Sequence, residues 1–117
     1  MTAFDKMAIG FLRRLEAAGD EVHFHVSELV NEYGIEERYV REKLVGLHNE
    51  KLIRLSAPNG SGAVKPLEWW PDREYFFNYA SDGNHKRARL LLAGAEFLAS
   101  LPADESEAPK RAIGFHG

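Results

Sequence analysis

The sequence has no cysteine among its 117 residues. This absence excludes a disulfide scaffold, a thiol nucleophile and a cysteine-ligated zinc finger, and it fits the cytoplasm, where we expect the protein to reside. No apolar run approaches the roughly 18–20 residues that a membrane helix needs, so we expect no membrane partner. Residues 1–10 lack a basic stretch followed by an apolar one, so we expect no secretion signal.

Positive charge is also scarce, because 15 Lys and Arg stand against 18 Asp and Glu. Nucleic-acid-binding proteins usually carry a basic footprint, so the net charge of −3 counts against that class unless the cations are concentrated locally. A hydrophobic fraction of 44% is ordinary for a globular chain. The length fits one compact domain, which we place at residues 1–101, followed by a flexible C-terminal tail at 102–117.

Catalytic and metal-binding motifs are missing as well. The sequence has no glycine-rich phosphate loop, no Gly-x-Ser-x-Gly and no His-Glu-x-x-His, so we expect a protein that is not an enzyme. His23 and His25 fall on one side of a predicted strand, but no third ligand lies near them in sequence. We therefore expect neither a metal site nor a cofactor.

Hydrophobic periodicity predicts alternating helices and strands. The first helix is supported by apolar residues at helical spacing, by a capping pair of Thr2 and Asp5, and by Gly19 at its end. Predicted helices cover residues 2–18, 27–33, 36–50 and 94–101, and predicted strands cover residues 21–26, 52–55, 74–79 and 86–92.

The second half of the chain predicts a loop and a hairpin. Residues 57–71 are rich in glycine and proline and read as a loop. Residues 74–79 have strong β propensity, and the Asp82-Gly83 turn would connect them to a partner strand at 86–92. In the closing helix we expect Phe97, Leu98 and Leu101 to face inward.

The third predicted helix has two distinct faces. Counting about 100° per residue from Val40 places Leu44 and Leu47 inward. Gly46 lies inside this helix at a cost of about 1 kcal/mol relative to alanine, which predicts close packing at that position. The opposite face carries Arg38, Arg41, Glu42, Val45 and Asn49.

This order of elements resembles the winged helix-turn-helix family. The stretch from Phe24 to Ile53 is similar to the family pattern of a short helix, a Gly-Ile turn and a longer helix ending in Leu-x₄-Leu-Ile. Residues 90–98 are similar to the family's strand-to-helix ending, although Leu91 stands where threonine is usual. The resemblance covers residues 4–101 and implies an α+β fold with a three-helix core, a small antiparallel β-wing and an additional C-terminal helix.

The resemblance also implies binding of double-stranded DNA, as a transcriptional regulator or a mobile-element accessory factor. In that family the face of the third helix enters the major groove and the wing contacts the backbone. Because a single small module gives limited affinity, we expect a homodimer through the first or the closing helix. The implied groove residues are Arg38, Arg41 and Asn49, and the implied wing residues are Lys86, Arg87 and Arg89.

Two other functions stay open. Glu36 and Glu37 at the start of the third helix repel phosphate and favour a winged-helix module that binds a protein and not DNA. In that case Trp69 and Trp70 would contact the partner, unless they pack over the core with one on each side. Alternatively, the aromatic residues 75–77 and the tryptophan loop would line the pocket of a small-molecule sensor.

Overall fold

The computed structural model describes residues 2–79 and 85–102, which form an α+β fold. Within these ranges the helices are α1 (Ala3–Ala18), α2 (Val26–Tyr33), α3 (Glu37–Asn49), α4 (Arg73–Tyr79) and α5 (Leu92–Ala99), with a 3₁₀ turn at Leu67–Trp69. The strands are β1 (Val22–His25), β2 (Ile53–Pro58), β3 (Val64–Pro66) and β4 (His85–Leu90). No helix in this part of the chain combines the length and apolar character of a membrane span.

The first helix follows its sequence signals closely. The Asp5 N–H donates to the Thr2 hydroxyl at 3.1 Å, and the Asp5 carboxylate accepts from the Thr2 N–H at 3.3 Å. These two bonds satisfy amide groups that a helix start leaves without partners. At the other end Gly19 adopts the left-handed conformation with φ of 71°, so the predicted start and stop are confirmed.

The strands form one antiparallel sheet in the order β1-β4-β2-β3. The central strand β4 pairs with β1 through Val22 opposite Ala88 and with β2 through Leu55 opposite Ala88. Side chains alternate between the two faces of a strand, so one face of this sheet meets the helices and the other meets solvent. The buried strand residues Phe24, Leu55 and Ala88 belong to the first face.

The helices cover that inner face with the residues that periodicity assigned to it. Buried side chains of α1 include Met7, Phe11 and Leu12, and Phe11 meets Phe24 of β1 edge to face at 4.9 Å. The predicted inward stripe of α3 is confirmed, because Val40, Leu44 and Leu47 are all buried.

The predicted strand at residues 74–79 is wrong, because residues 73–79 form helix α4. The Asp72 carboxylate accepts the Tyr75 N–H at 2.8 Å and begins the helix as an N-cap. Phe76 and Phe77 are both buried although they are neighbours. A strand points consecutive side chains to opposite faces, so a single core on one side could not bury both.

The predicted hairpin is therefore also wrong, since β4 pairs with β1 and β2 instead of with residues 74–79. Its turn at Asp82-Gly83 lies outside the described residues. The predicted loop at residues 57–71 contains β3 and the 3₁₀ turn. We call residues 59–79, which stand between β2 and β4 in the chain, the insert.

The closing helix α5 begins two residues earlier than expected and buries Leu98. Phe97 stays 39% exposed, so the expectation that it faces inward is wrong, while Leu101 is partly buried against the core. Residues 103–117 lie outside the described part, so the boundary at residue 101 and the flexible tail stay predictions.

Candidate nucleic-acid interface

The outer face of α3 presents only some of the residues that the helical period assigned to it. The side chain of Arg38 is 74% exposed, and its Nε lies 3.3 Å from the Glu36 carboxylate. Glu42 and Asn49 are exposed on the same face. This pairing leaves Arg38 in solvent, where an ion pair is weak and a phosphate can compete for the guanidinium.

Arg41 and Val45 are not on the open face, since the insert contacts Arg41 and Val45 is buried. The Arg41 guanidinium lies over the Phe77 ring at 5.0 Å and pairs with the Glu37 carboxylate. Val45 is buried, which makes its predicted outward position wrong. Positions 41, 45 and 48 form one stripe of the helix, and His48 at its end also meets the insert.

His48 on α3 forms hydrogen bonds with both β2 and the insert. Its Nδ1 accepts the Leu55 N–H at 3.0 Å, so we assign the proton to Nε2, which donates to the Glu68 carboxylate at 2.7 Å. A hydrogen bond from its own backbone N–H and the bond from His48 hold the pKa of Glu68 below its ordinary value. The sequence reading missed this residue because neither partner is close to it in the chain.

Gly46 differs from the two other glycines inside described helices. A Cβ at Gly10 would lie 2.1 Å from the Tyr33 hydroxyl, and one at Gly94 would lie 2.2 Å from the Leu52 carbonyl oxygen. At Gly46 nothing lies within 4 Å of that position. The predicted close packing at Gly46 is therefore wrong, and nothing in the described residues requires a glycine there.

Lys86 is not on the surface, so its predicted contact with a DNA backbone is wrong. The side chain is fully buried, and its Nζ donates to the Phe76 carbonyl at 2.8 Å. That carbonyl belongs to the last turn of α4, where helix carbonyls lack intrahelical partners. Burial, with a smaller contribution from Arg41, lowers the pKa of Lys86 to about 8.

Arg87 and Arg89 lie on the solvent-facing side of the sheet, together with Arg54, which the sequence reading missed. The register places Arg89 directly opposite Arg54 and Arg87 opposite both Ser56 and His23. Arg87 Nη1 lies 3.6 Å from the Glu21 carboxylate. The alternation of Ile53, Arg54 and Leu55 was a signal that Arg54 points outward.

Three histidines share this side of the sheet. His25 is opposite His85 in the register, and His23 is opposite Arg87. The His85 ring centroid lies 6.2 Å from that of His23 and 5.9 Å from that of His25. We call this surface the cationic sheet face; its residues are His23, His25, Arg54, His85, Arg87 and Arg89.

The predicted cations therefore do not form one surface. Arg38 precedes Tyr39, which meets Phe4 at the start of α1 at a ring distance of 5.9 Å. Arg89 lines a pocket with Gly19 at the end of that same helix. A helix of 16 residues is about 24 Å long, so α1 separates the two sites by roughly that distance.

The two tryptophans of the insert differ in burial, and only Trp70 packs into the core, so the expectation that both pack over it, one on each side, is wrong for Trp69. Trp70 is buried and its Nε1 donates to the Lys65 carbonyl at 3.2 Å. Trp69 is 50% exposed and packs edge to face on Trp70 at 5.2 Å. Phe76 and Phe77 fill the core, so they do not line the pocket that a sensor would need.

Among residues 2–79 and 85–102 no group of three or more histidine and acidic side chains is placed to hold a metal ion. Comparison with known proteins found no match to a protein-family model, a curated protein or a solved structure.

Proposed function

We propose that the protein binds double-stranded DNA through a winged helix-turn-helix-like domain. Two features of the chain path support this. The left-handed residue Gly34 joins α2 to α3, and β4 lies between β1 and β2 in the sheet. The first feature is the glycine turn that the sequence resemblance implies, and the second belongs to a small antiparallel sheet of the kind it implies. The insert stands between β2 and β4 in the chain and contributes β3 to the sheet edge. A regulatory or mobile-element accessory role belongs to the same proposal.

The outer face of α3 is the surface that would enter the major groove, which is about 12 Å wide and admits one helix. Gly46 is the observation that carries this assignment. A glycine inside a helix costs about 1 kcal/mol relative to alanine. No neighbour within the described residues explains it, whereas a ligand that must approach the helix backbone closely does.

The proposed contacts differ from the sequence prediction. Arg38 and Asn49 keep their places because both are exposed on this face. Arg41 lies at the edge of this face, where it contacts Phe77 and Glu37, and it is no longer among the proposed DNA contacts. Lys86 leaves the set because it is buried.

A homodimer through α5 is part of the same proposal, because two modules would bind a palindromic site more tightly than one. The helix has Glu96 as its single charged residue, yet Leu92 is 75% and Phe97 39% exposed. Phe97 also borders a groove between α1 and α3 that Ile9 and Leu12 line. A helix that is apolar on all sides usually has a covered surface.

The test is fluorescence anisotropy of a labelled mixed-sequence duplex across a salt series. We expect Arg38→Glu to weaken binding at least tenfold at low salt and to make the dependence of log K on log salt shallower, because a phosphate contact is lost. Arg14→Glu is the charge-matched control, since Arg14 pairs with Glu28 away from α3. Equal weakening by both variants would reduce the effect to overall charge and remove the α3 assignment.

A second candidate function is binding of a protein partner through the insert. Trp69 and Tyr75 are 50% and 45% exposed, and both flank the buried Trp70. Large exposed aromatic residues are typical anchors of protein interfaces. Such a contact would survive high salt and be lost in Trp69→Ala, whereas the DNA complex would show the opposite pattern.

A further inference from the structure

The cationic sheet face contains a cross-strand pair of like charges. Arg54 and Arg89 are directly opposite each other on β2 and β4. Like charges at opposed positions destabilise a sheet. Both arginines are exposed, so the two strands present the same charge toward solvent at this position.

The carboxylates among the described residues that lie near this surface stand at its margins. Glu21 contacts Arg87 and His23 at 3.6 Å each, on the β1 side of the sheet. Glu68 approaches Arg54 from the insert, where it is already bonded to His48. Arg89 is exposed, and Glu16 and Asp20 line the pocket that it borders at the end of α1. An anion seated between Arg54 and Arg89 would relieve their repulsion.

The histidine rings add a second kind of contact beside these cations. His23 is 53% exposed at its side chain, and the three imidazoles lie within about 6 Å of their neighbours. Residues two apart on a strand are separated by about 6.7 Å and adjacent strands by about 4.8 Å. The register therefore places the three rings together at one end of the surface and the Arg54–Arg89 pair at the other, with Arg87 between them.

We propose that this surface binds single-stranded nucleic acid, with the arginines on successive phosphates and the histidine rings stacked on bases. Aromatic or imidazole rings beside cations are the chemistry by which proteins hold unpaired bases. Paired bases in a duplex offer no open ring face on which the histidine side chains could stack. This site goes beyond the proposed duplex contact at α3 and does not depend on it.

The test uses a labelled 12-nucleotide mixed-sequence DNA strand and anisotropy at low salt. We expect Arg89→Glu to weaken binding at least tenfold. That change places a carboxylate opposite Arg54 and so replaces a repulsive pair by an attractive one, which keeps the sheet folded. A second variant, Arg89→Gln, removes the charge without creating a new pair, and it should weaken binding several-fold.

Ring contacts are tested with His23→Ala and His85→Ala, each expected to weaken strand binding about fivefold or more. Arg38→Glu is the matched control and should leave single-strand binding unchanged while it weakens duplex binding. The proposal for the cationic sheet face and the proposal for α3 can therefore be contradicted independently, the first by single-strand binding and the second by duplex binding.

Three outcomes would overturn the proposal. Unchanged affinity in Arg89→Glu would show that the strand binds elsewhere. Equal competition by inorganic polyphosphate, with no effect of the histidine variants, would show a general anion surface. Parallel loss of duplex and single-strand binding in Arg89→Glu would assign this face to the duplex.

Discussion

Helix α3 and strand β4 carry the same kind of residue but present it differently. On α3 each arginine has a glutamate beside it, at positions 36 and 38 or 37 and 41. On β4 the side chains alternate, so Lys86 points into the core while Arg87 and Arg89 point to solvent. Whether a basic run in the sequence forms a basic surface therefore depends on the periodicity of the helix or strand that contains it.

The largest effect should separate two neighbours on β4. Lys86→Ala removes a buried stem and leaves the Phe76 carbonyl without its donor, so we expect a loss of about 2–4 kcal/mol in the free energy of unfolding. Arg87→Ala removes a partly exposed side chain and should cost less than about 1 kcal/mol. Urea unfolding measures both, and equal losses would contradict the inward and outward placement.

The burial of Lys86 also predicts a pH dependence. Its pKa is about 8 in the folded protein and near 10.4 in an unfolded chain, so between these values the unfolded state binds more protons. The free energy of unfolding therefore rises with pH in this window, by about 1–2 kcal/mol from pH 8 to 9.5.

Lys86→Met isolates this contribution, because it keeps the apolar stem and removes the titrating group. In urea titrations, the free energy of unfolding of the original protein minus that of Lys86→Met should become more positive as the pH rises from 8 to 9.5. A constant difference would show that the amine keeps its proton without cost and is solvated.

Local signals predicted the parts of the fold in which sequence neighbours determine structure. The cap of α1 and the inward stripe of α3 follow from residues within a few positions of each other. The helix of the insert was not predicted. The β propensity of its aromatic residues favoured a strand, although Asp72 is an N-cap that begins α4. This helix buries Phe76 against Lys86, a partner ten residues away in the chain.

The candidate site was predictable to the same extent. Arg38 and Asn49 kept their faces because they depend only on the helical period. Arg41 and Val45 did not keep their predicted outward positions: Phe77, from a distant part of the sequence, packs on Arg41, and Val45 is buried. Arg54 was not predicted, because it is a single arginine outside any basic run of the sequence. The sheet register places it opposite Arg89.

Two glycine substitutions have contrasting expected effects on stability, and the one in α3 has the smaller effect. Gly94→Ala is a contrast, since its Cβ would meet the Leu52 carbonyl oxygen at 2.2 Å and should destabilise the fold by about 1–3 kcal/mol. Gly46→Ala meets nothing within 4 Å. It should stabilise the helix by about 1 kcal/mol.

The most direct test of duplex binding through α3 is to measure stability and duplex affinity together in Gly46→Ala. We predict a more stable protein that binds the mixed-sequence duplex at least fivefold more weakly, because the added methyl group holds the helix backbone away from the DNA. A more stable protein with unchanged duplex affinity would contradict the account, since the outer face of α3 would then not be the surface that contacts DNA.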